Sequence, residues 1–87
     1  MNDIDTLAQE VALLVGKIRQ MKMDPLRLDA LLAEEYGADS MDMLEIVDAV
    51  ENKYGISVTD DQVLEICTIR DIVAMIQAHR NANQPRA

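Results

Sequence analysis

Phenylalanine and tryptophan are absent from this chain of 87 residues, and tyrosine occurs twice. A core without large rings must come from Leu, Ile, Val, Ala and the six methionines. That palette suits helices better than sheets, whose strands draw on aromatic and β-branched side chains. A single cysteine, Cys67, excludes an intrachain disulfide. It lies between Ile66 and Ile69, near an expected helix start, with no histidine close in sequence to activate its thiol. It therefore reads as a small buried hydrophobe. The one histidine, His79, reads as a solvated residue at a helix end. There is no signal-peptide pattern and no apolar run long enough to span a bilayer, so the chain reads as cytoplasmic, without membrane insertion.

Basic residues are scarce as well. Sixteen acids face eight bases, a net charge of −8. Between Glu34 and Glu65 the acids are Glu34, Glu35, Asp39, Asp42, Glu45, Asp48, Glu51, Asp60, Asp61 and Glu65, against Lys53 alone. Nucleic acid is excluded as a partner, because its binding depends on Lys and Arg neutralising phosphates. A partner with a basic docking patch fits, since opposite fields steer encounter.

The length fits one domain. It is read as residues 1–80, followed by a polar tail, 81–87, expected to be disordered. Ile4, Leu7, Val11, Leu14, Ile18 and Met21 follow the three-four spacing of one helical stripe from about Asp3 to Met21. Asn2 or Asp3 offers a cap, and Thr6 with Gln9 a competing one. Pro25 forbids continuation and pushes Asp24 out of helical conformation. The long connection Met23 to Ala38 carries Leu26, Leu28, Leu31, Leu32 and Tyr36, so it is expected to lie across the bundle with its leucines buried and a helical turn near Asp29 to Glu35.

A second long helix is expected from Ser40 to Tyr54. Asp39 is its cap, Asp42 suits the dipole in its first turn, and Gly55 supplies the left-handed residue beyond its end. Met43, Ile46, Val47, Val50 and Tyr54 form one face. Glu45, Asp48, Glu51 and Asn52 lie away from it. Met41 and Leu44 are apolar residues on the acidic side. Thr59 and Gln62 form a capping box that opens a brief helix through about Glu65, with Val63, Leu64 and Ile66 on its apolar side. A last helix, Thr68 to about His79, buries Ile69, Ile72, Val73 and Ile76. The fold class is all-α, a four-helix bundle with a long first loop and a short third helix.

Catalytic and metal patterns are missing. Nucleophilic catalysis at Ser40 needs a base, and the only histidine sits in the last helix, with no G-x-S-x-G elbow around the serine. The carboxylates do not match an EF-hand loop, and no glycine loop cradles phosphate. What remains is Ser40, a hydroxyl in the first turn of an acidic, part-apolar helix. Anions are favoured at such a helix end, although Asp39 and Asp42 would oppose one here. The serine reads as a residue that is modified rather than one that catalyses.

The run Gly37-Ala38-Asp39-Ser40-Met41-Asp42, followed by Glu45-Ile46-Val47, resembles the phosphopantetheine attachment motif of acyl carrier proteins. The likeness extends through the glycine-ended helix, the short acidic helix and Ile66-Cys67-Thr68-Ile69. It is close over about Leu32 to Ile76 and only a pattern in the first helix. It implies a stand-alone, monomeric acyl-carrier bundle of the discrete type and no enzyme activity. A 4'-phosphopantetheine arm from coenzyme A would be attached to Ser40, beside Asp39, by a phosphopantetheinyl transferase with Mg²⁺. The arm would carry acyl groups as thioesters to acyl transferases, ligases, ketosynthases and other acyl-processing enzymes. Met41, Asp42, Leu44, Glu45, Asp48 and Glu51 would meet those partners, and the acyl chain would enter beside Ile46, Val47 and Val50.

Met41 in place of the usual leucine, Asp48 where an apolar residue is frequent, and Asn52 and Lys53 depart from the fatty-acid carriers. They point to a dedicated polyketide or modified-lipid carrier. An aminoacyl or peptidyl carrier, an acidic helical adaptor with Ser40 unmodified, and a metal-binding regulator stand as alternatives.

Overall fold

The computed structural model describes residues 3–22 and 27–83. Within them the helices are α1 (Asp3–Arg19), α2 (Leu32–Tyr36), α3 (Ser40–Tyr54), α4 (Asp60–Glu65) and α5 (Ile69–Asn83). The architecture is all-α, and the expected helical turn in the first loop is the one-and-a-half-turn α2. The expectations for Asn2, Pro25, Leu26 and residues 84–87 lie outside the described residues.

Helix α1 packs between α3 and α5. Its buried stripe is Leu7, Ala8, Val11, Ala12 and Val15, with Leu14 and Ile18 partly covered. Ile4 and Met21, the two ends of the expected stripe, are exposed. The helix stops at Arg19, earlier than expected, because Gln20 turns left-handed at φ 57° and the Met21 N–H donates back to the Gly16 carbonyl at 2.9 Å. The residue in that left-handed position is not a glycine, so composition carried no stop signal.

The other helices bring matching faces. Ile46, Val47 and Val50 of α3 and Ile69, Ile72, Val73 and Ile76 of α5 are buried against α1 and against Leu32 and Tyr36 of α2. Helix α3 has the predicted limits. It ends where Gly55 turns left-handed (φ 65°) and the N–H groups of Gly55 and Ile56 both donate to the Glu51 carbonyl. Tyr54 ties three helices together: its hydroxyl donates to Glu10 Oε1 of α1 at 2.6 Å, and the Arg80 guanidinium of α5 lies over its ring. Burial, with the Glu10 carboxylate beside it, pushes the Tyr54 phenol above its ordinary range.

Two expectations about burial fail for one reason. Leu31 is 39% exposed and Cys67 is also exposed. Both sit in extended backbone joined by an antiparallel bridge between Leu31 and Thr68, with the Leu32 N–H donating to the Cys67 carbonyl at 2.9 Å. In extended chain successive side chains alternate. Ala30 and Leu32 therefore go inward around Leu31, and Ile66 is buried next to Cys67. The bridge, with the Arg70–Asp29 ion pair beside it, fastens the first loop to the α4–α5 junction.

Helix α5 is capped by Thr68 and Asp71, which exchange side-chain bonds with each other's N–H at 3.1 Å. It runs to Asn83 rather than stopping near His79, so 81–83 of the expected tail are helical.

Ile46 is fully buried. Ile46→Ala is expected to cost about 2–5 kcal/mol, the usual range for such a truncation in a packed core. Leu64→Ala, at an exposed position of α4, is expected to change stability by less than about 0.5 kcal/mol. Urea unfolding followed by circular dichroism checks both.

Candidate functional site

Ser40 is the first residue of α3, and its position is set by the capping of that helix. Asp39 adopts extended backbone, and its Oδ1 accepts from the Asp42 N–H at 2.9 Å. Asp42 Oδ2 accepts in return from the Asp39 N–H at 3.1 Å. This reciprocal box joins the cap to the third helical residue, a pattern more familiar with Ser or Thr capping and Glu or Gln answering. Ser40 sits between the two aspartates. It is exposed, and among the described residues nothing hydrogen-bonds its hydroxyl.

The side chain behind the box is Arg19, from the last turn of α1. Its Nη1 donates to Asp42 Oδ2 at 3.0 Å and its Nε donates to the Tyr36 carbonyl at 3.0 Å. The end of α1, the end of α2 and the start of α3 thus meet on one guanidinium. Gly37 serves this junction twice. It turns left-handed at φ 68° to close α2, and a Cβ on it would lie 3.2 Å from Arg19 Nη2. No local signal in sequence could link Arg19 to Asp42, 23 residues on.

The charges around Ser40 are ordered rather than merely dense. The Asp42 N–H bond, joined by further bonds from the first turn and by the nearby Arg19 charge, holds the Asp39 carboxyl below its ordinary pKa of 3.8. Asp42 is already committed to Arg19 and Asp39. Glu51 is half-buried, and its Oε2 accepts from the Val58 N–H at 2.9 Å, holding the loop before α4. Of the residues expected to meet partners, Met41 (68% exposed), Leu44 (49%), Glu45 and Asp48 face solvent freely, while Asp42 and Glu51 do internal work.

Beside Ser40 an open groove of about 600 Å³ runs between α3 and α4. Ala38, Met43, Leu44, Val63 and Leu64 line it, and Ser40 stands at its edge. Ile46, Val47 and Val50 do not line it: that stripe is buried in the core, where α3 packs on α1. The gap lies instead toward the N-terminal end of α3, because short α4 contributes no fully buried residue to close it. Leu64, assigned from its pattern to the apolar side of its helix, is 81% exposed at the rim of the groove it shares with Leu44. Among the described residues no cluster of three or more His, Cys, Asp or Glu could hold a metal ion. No helix among them is long and apolar enough to cross a membrane.

Comparison with known proteins gives a consistent result. The family model described as "Phosphopantetheine attachment site" matches residues 7–76. An acyl carrier protein of Campylobacter hominis is 33% identical over 79% of this chain and 87% of its own length. One from Zymomonas mobilis is 32% identical over 84% of this chain and 94% of its own. One from Rickettsia bellii is 27% identical over 93% of this chain and 94% of its own.

The lowered Asp39 pKa carries a pH dependence of known sign. A carboxyl depressed by folding stabilises fully above its unfolded value, near 3.8, and that stabilisation is lost as pH falls through the lower folded value. Asp39→Asn, which keeps a capping oxygen without the charge, is expected to retain most stability at pH 7 and to lose less than the parent on acidification below pH ~4. Thermal melts of both proteins across pH 2–7, with an NMR titration of the Asp39 carboxyl, check this.

Proposed function

Because this chain belongs to the phosphopantetheine-attachment family that includes the acyl carrier proteins, we propose that Ser40 holds a 4'-phosphopantetheine arm and that the protein carries acyl groups between enzymes. The observation that carries the reading is the exposed, unbonded Ser40 hydroxyl at the first position of a 15-residue helix, inside the matched segment. The residues around it fit the group. The helix N-terminus favours a phosphodiester, the Arg19 charge offsets that of Asp42, and the groove beside Ser40 offers apolar cover to a chain.

In loading, Ser40 Oγ forms a bond to the pantetheine-side phosphorus of coenzyme A, and the pyrophosphate bond breaks. Adenosine 3′,5′-bisphosphate leaves, and the serine proton passes to a base of the transferase. The bound arm supplies a terminal thiol that holds acyl groups as thioesters; the chain itself presents and shields, and is not a catalyst.

Partners are a phosphopantetheinyl transferase and acyl-processing enzymes, among them acyl transferases, ligases and ketosynthases. Glu45 and Asp48 steer a basic patch toward α3. Met41, Leu44 and Leu64 fill apolar pockets beside it, in the manner of a helix docking on a groove. The departures at Met41, Asp48, Asn52 and Lys53 favour a dedicated carrier over a general fatty-acid one. Tethering raises the concentration of cargo at each docked enzyme.

Intact mass after incubation with coenzyme A, Mg²⁺ and a broad-specificity phosphopantetheinyl transferase tests the reading. The parent is expected to gain one phosphopantetheine and Ser40→Ala none, with little change in melting, since Ser40 is not the cap. A folded parent that two different transferases leave unchanged would mean an unmodified acidic adaptor.

A further inference from the structure

We propose that Arg19 is a positioning residue for the loading of Ser40, an inference that rests on the reading of Ser40 as the attachment point. Three observations carry it. First, Asp42 Oδ2 accepts from both Arg19 Nη1 (3.0 Å) and the Asp39 N–H (3.1 Å), so the guanidinium orients the carboxylate that fixes the cap. Ser40 lies between the two residues of that cap and follows them. Second, Arg19 Nε is bonded to the Tyr36 carbonyl at 3.0 Å, and Gly37 leaves room for Nη2. The fork therefore references α3 to the end of α2 and cannot swing with Asp42 alone. Third, the contact is partly shielded, with side-chain exposures of 30% for Arg19 and 18% for Asp42. It is screened less than the pairs Arg27–Glu35 and Arg70–Asp29, whose side chains are more open to water.

The charge matters as well as the geometry. Asp39 and Asp42 flank the serine, and both oppose the phosphate that approaches Oγ. Arg19 is the cation bonded to this box among the described residues, and it offsets Asp42 where the new phosphodiester would lie. A lysine would keep the charge but not the planar fork that spans Tyr36 and Asp42. The outward side chains Met41, Leu44, Glu45 and Leu64 are independent of this contact, so docking and positioning are separable.

The test is steady-state loading of the full chain by the transferase, at a temperature where circular dichroism shows every variant fully folded. Arg19→Met is expected to lower kcat about tenfold or more, since small misplacements of a reacting atom are costly, with KM for the carrier within about twofold of the parent. Arg19→Lys is expected to fall between. Asp42→Asn perturbs the same contact from its other partner and carries the test if Arg19→Met does not fold. The double variant is expected to lose no more than the worse single one, because the two residues act through one contact. Hydrogen exchange of the Asp39 amide, expected to speed up in Arg19→Met, reads the cap without any loading. A loaded parent beside an Arg19→Met with parental kcat would overturn the inference and leave the attachment reading standing. A loss confined to KM, or losses that multiply in the double variant, would also overturn it. A parent that is not loaded at all would remove the attachment reading and the inference with it.

Discussion

The burial of one stripe of α1, Leu7, Val11 and Val15, between α3 and α5 governs the remainder of the molecule. With no Phe or Trp to bridge gaps, the core closes only where branched aliphatics from several helices meet around that stripe. Once Ile46, Val47 and Val50 turn toward α1, the opposite side of α3 must face water. Met41, Leu44, Glu45 and Asp48 are exposed as a geometric consequence. These exposed side chains thereby stand on a helix whose other face is fixed in the core.

The same helix begins at the serine, and its beginning is built with unusual redundancy. Asp39 caps, Asp42 answers, Arg19 holds Asp42, and Gly37 makes room for Arg19. The phosphodiester proposed on Ser40 would stand beside Asp39 and Asp42, an electrostatic conflict. Here one carboxylate is neutralised by a guanidinium and the other is tied to backbone N–H groups. Glu45 and Asp48, further along the helix, stay exposed to solvent.

Helix α4 plays the complementary part. It is short, capped by Thr59 and Gln62, and buries no residue completely. An element so lightly anchored leaves the groove beside Ser40 open and puts Leu64 at its rim. Elements with few buried contacts are the ones that open most readily. The firmer α1–α3–α5 layer, stapled by Tyr54 between Glu10 and Arg80, need not move.

Sequence alone determined the helices with strong local chemistry. The limits of α3 follow from Asp39 and Gly55, the start of α4 from Thr59 and Gln62, and the place of Ser40 from the first of these. Such signals act within a few residues, so they are readable without a fold. The acidic window and the exposed Met41 and Leu44 were legible for the same reason. Only the tertiary structure decided the rest. Periodicity predicts a helical face where the backbone is helical, but Leu31 and Cys67 lie in extended chain and alternate outward. Leu64 follows an amphipathic pattern, yet nothing packs over it. Asp42 and Glu51 look like free surface acids until Arg19 and the Val58 N–H occupy them. Arg19 itself has no local partner, and its role exists only because folding brings residue 19 against residue 42. Contacts between distant residues are set by how the helices pack, and no spacing along the chain encodes them.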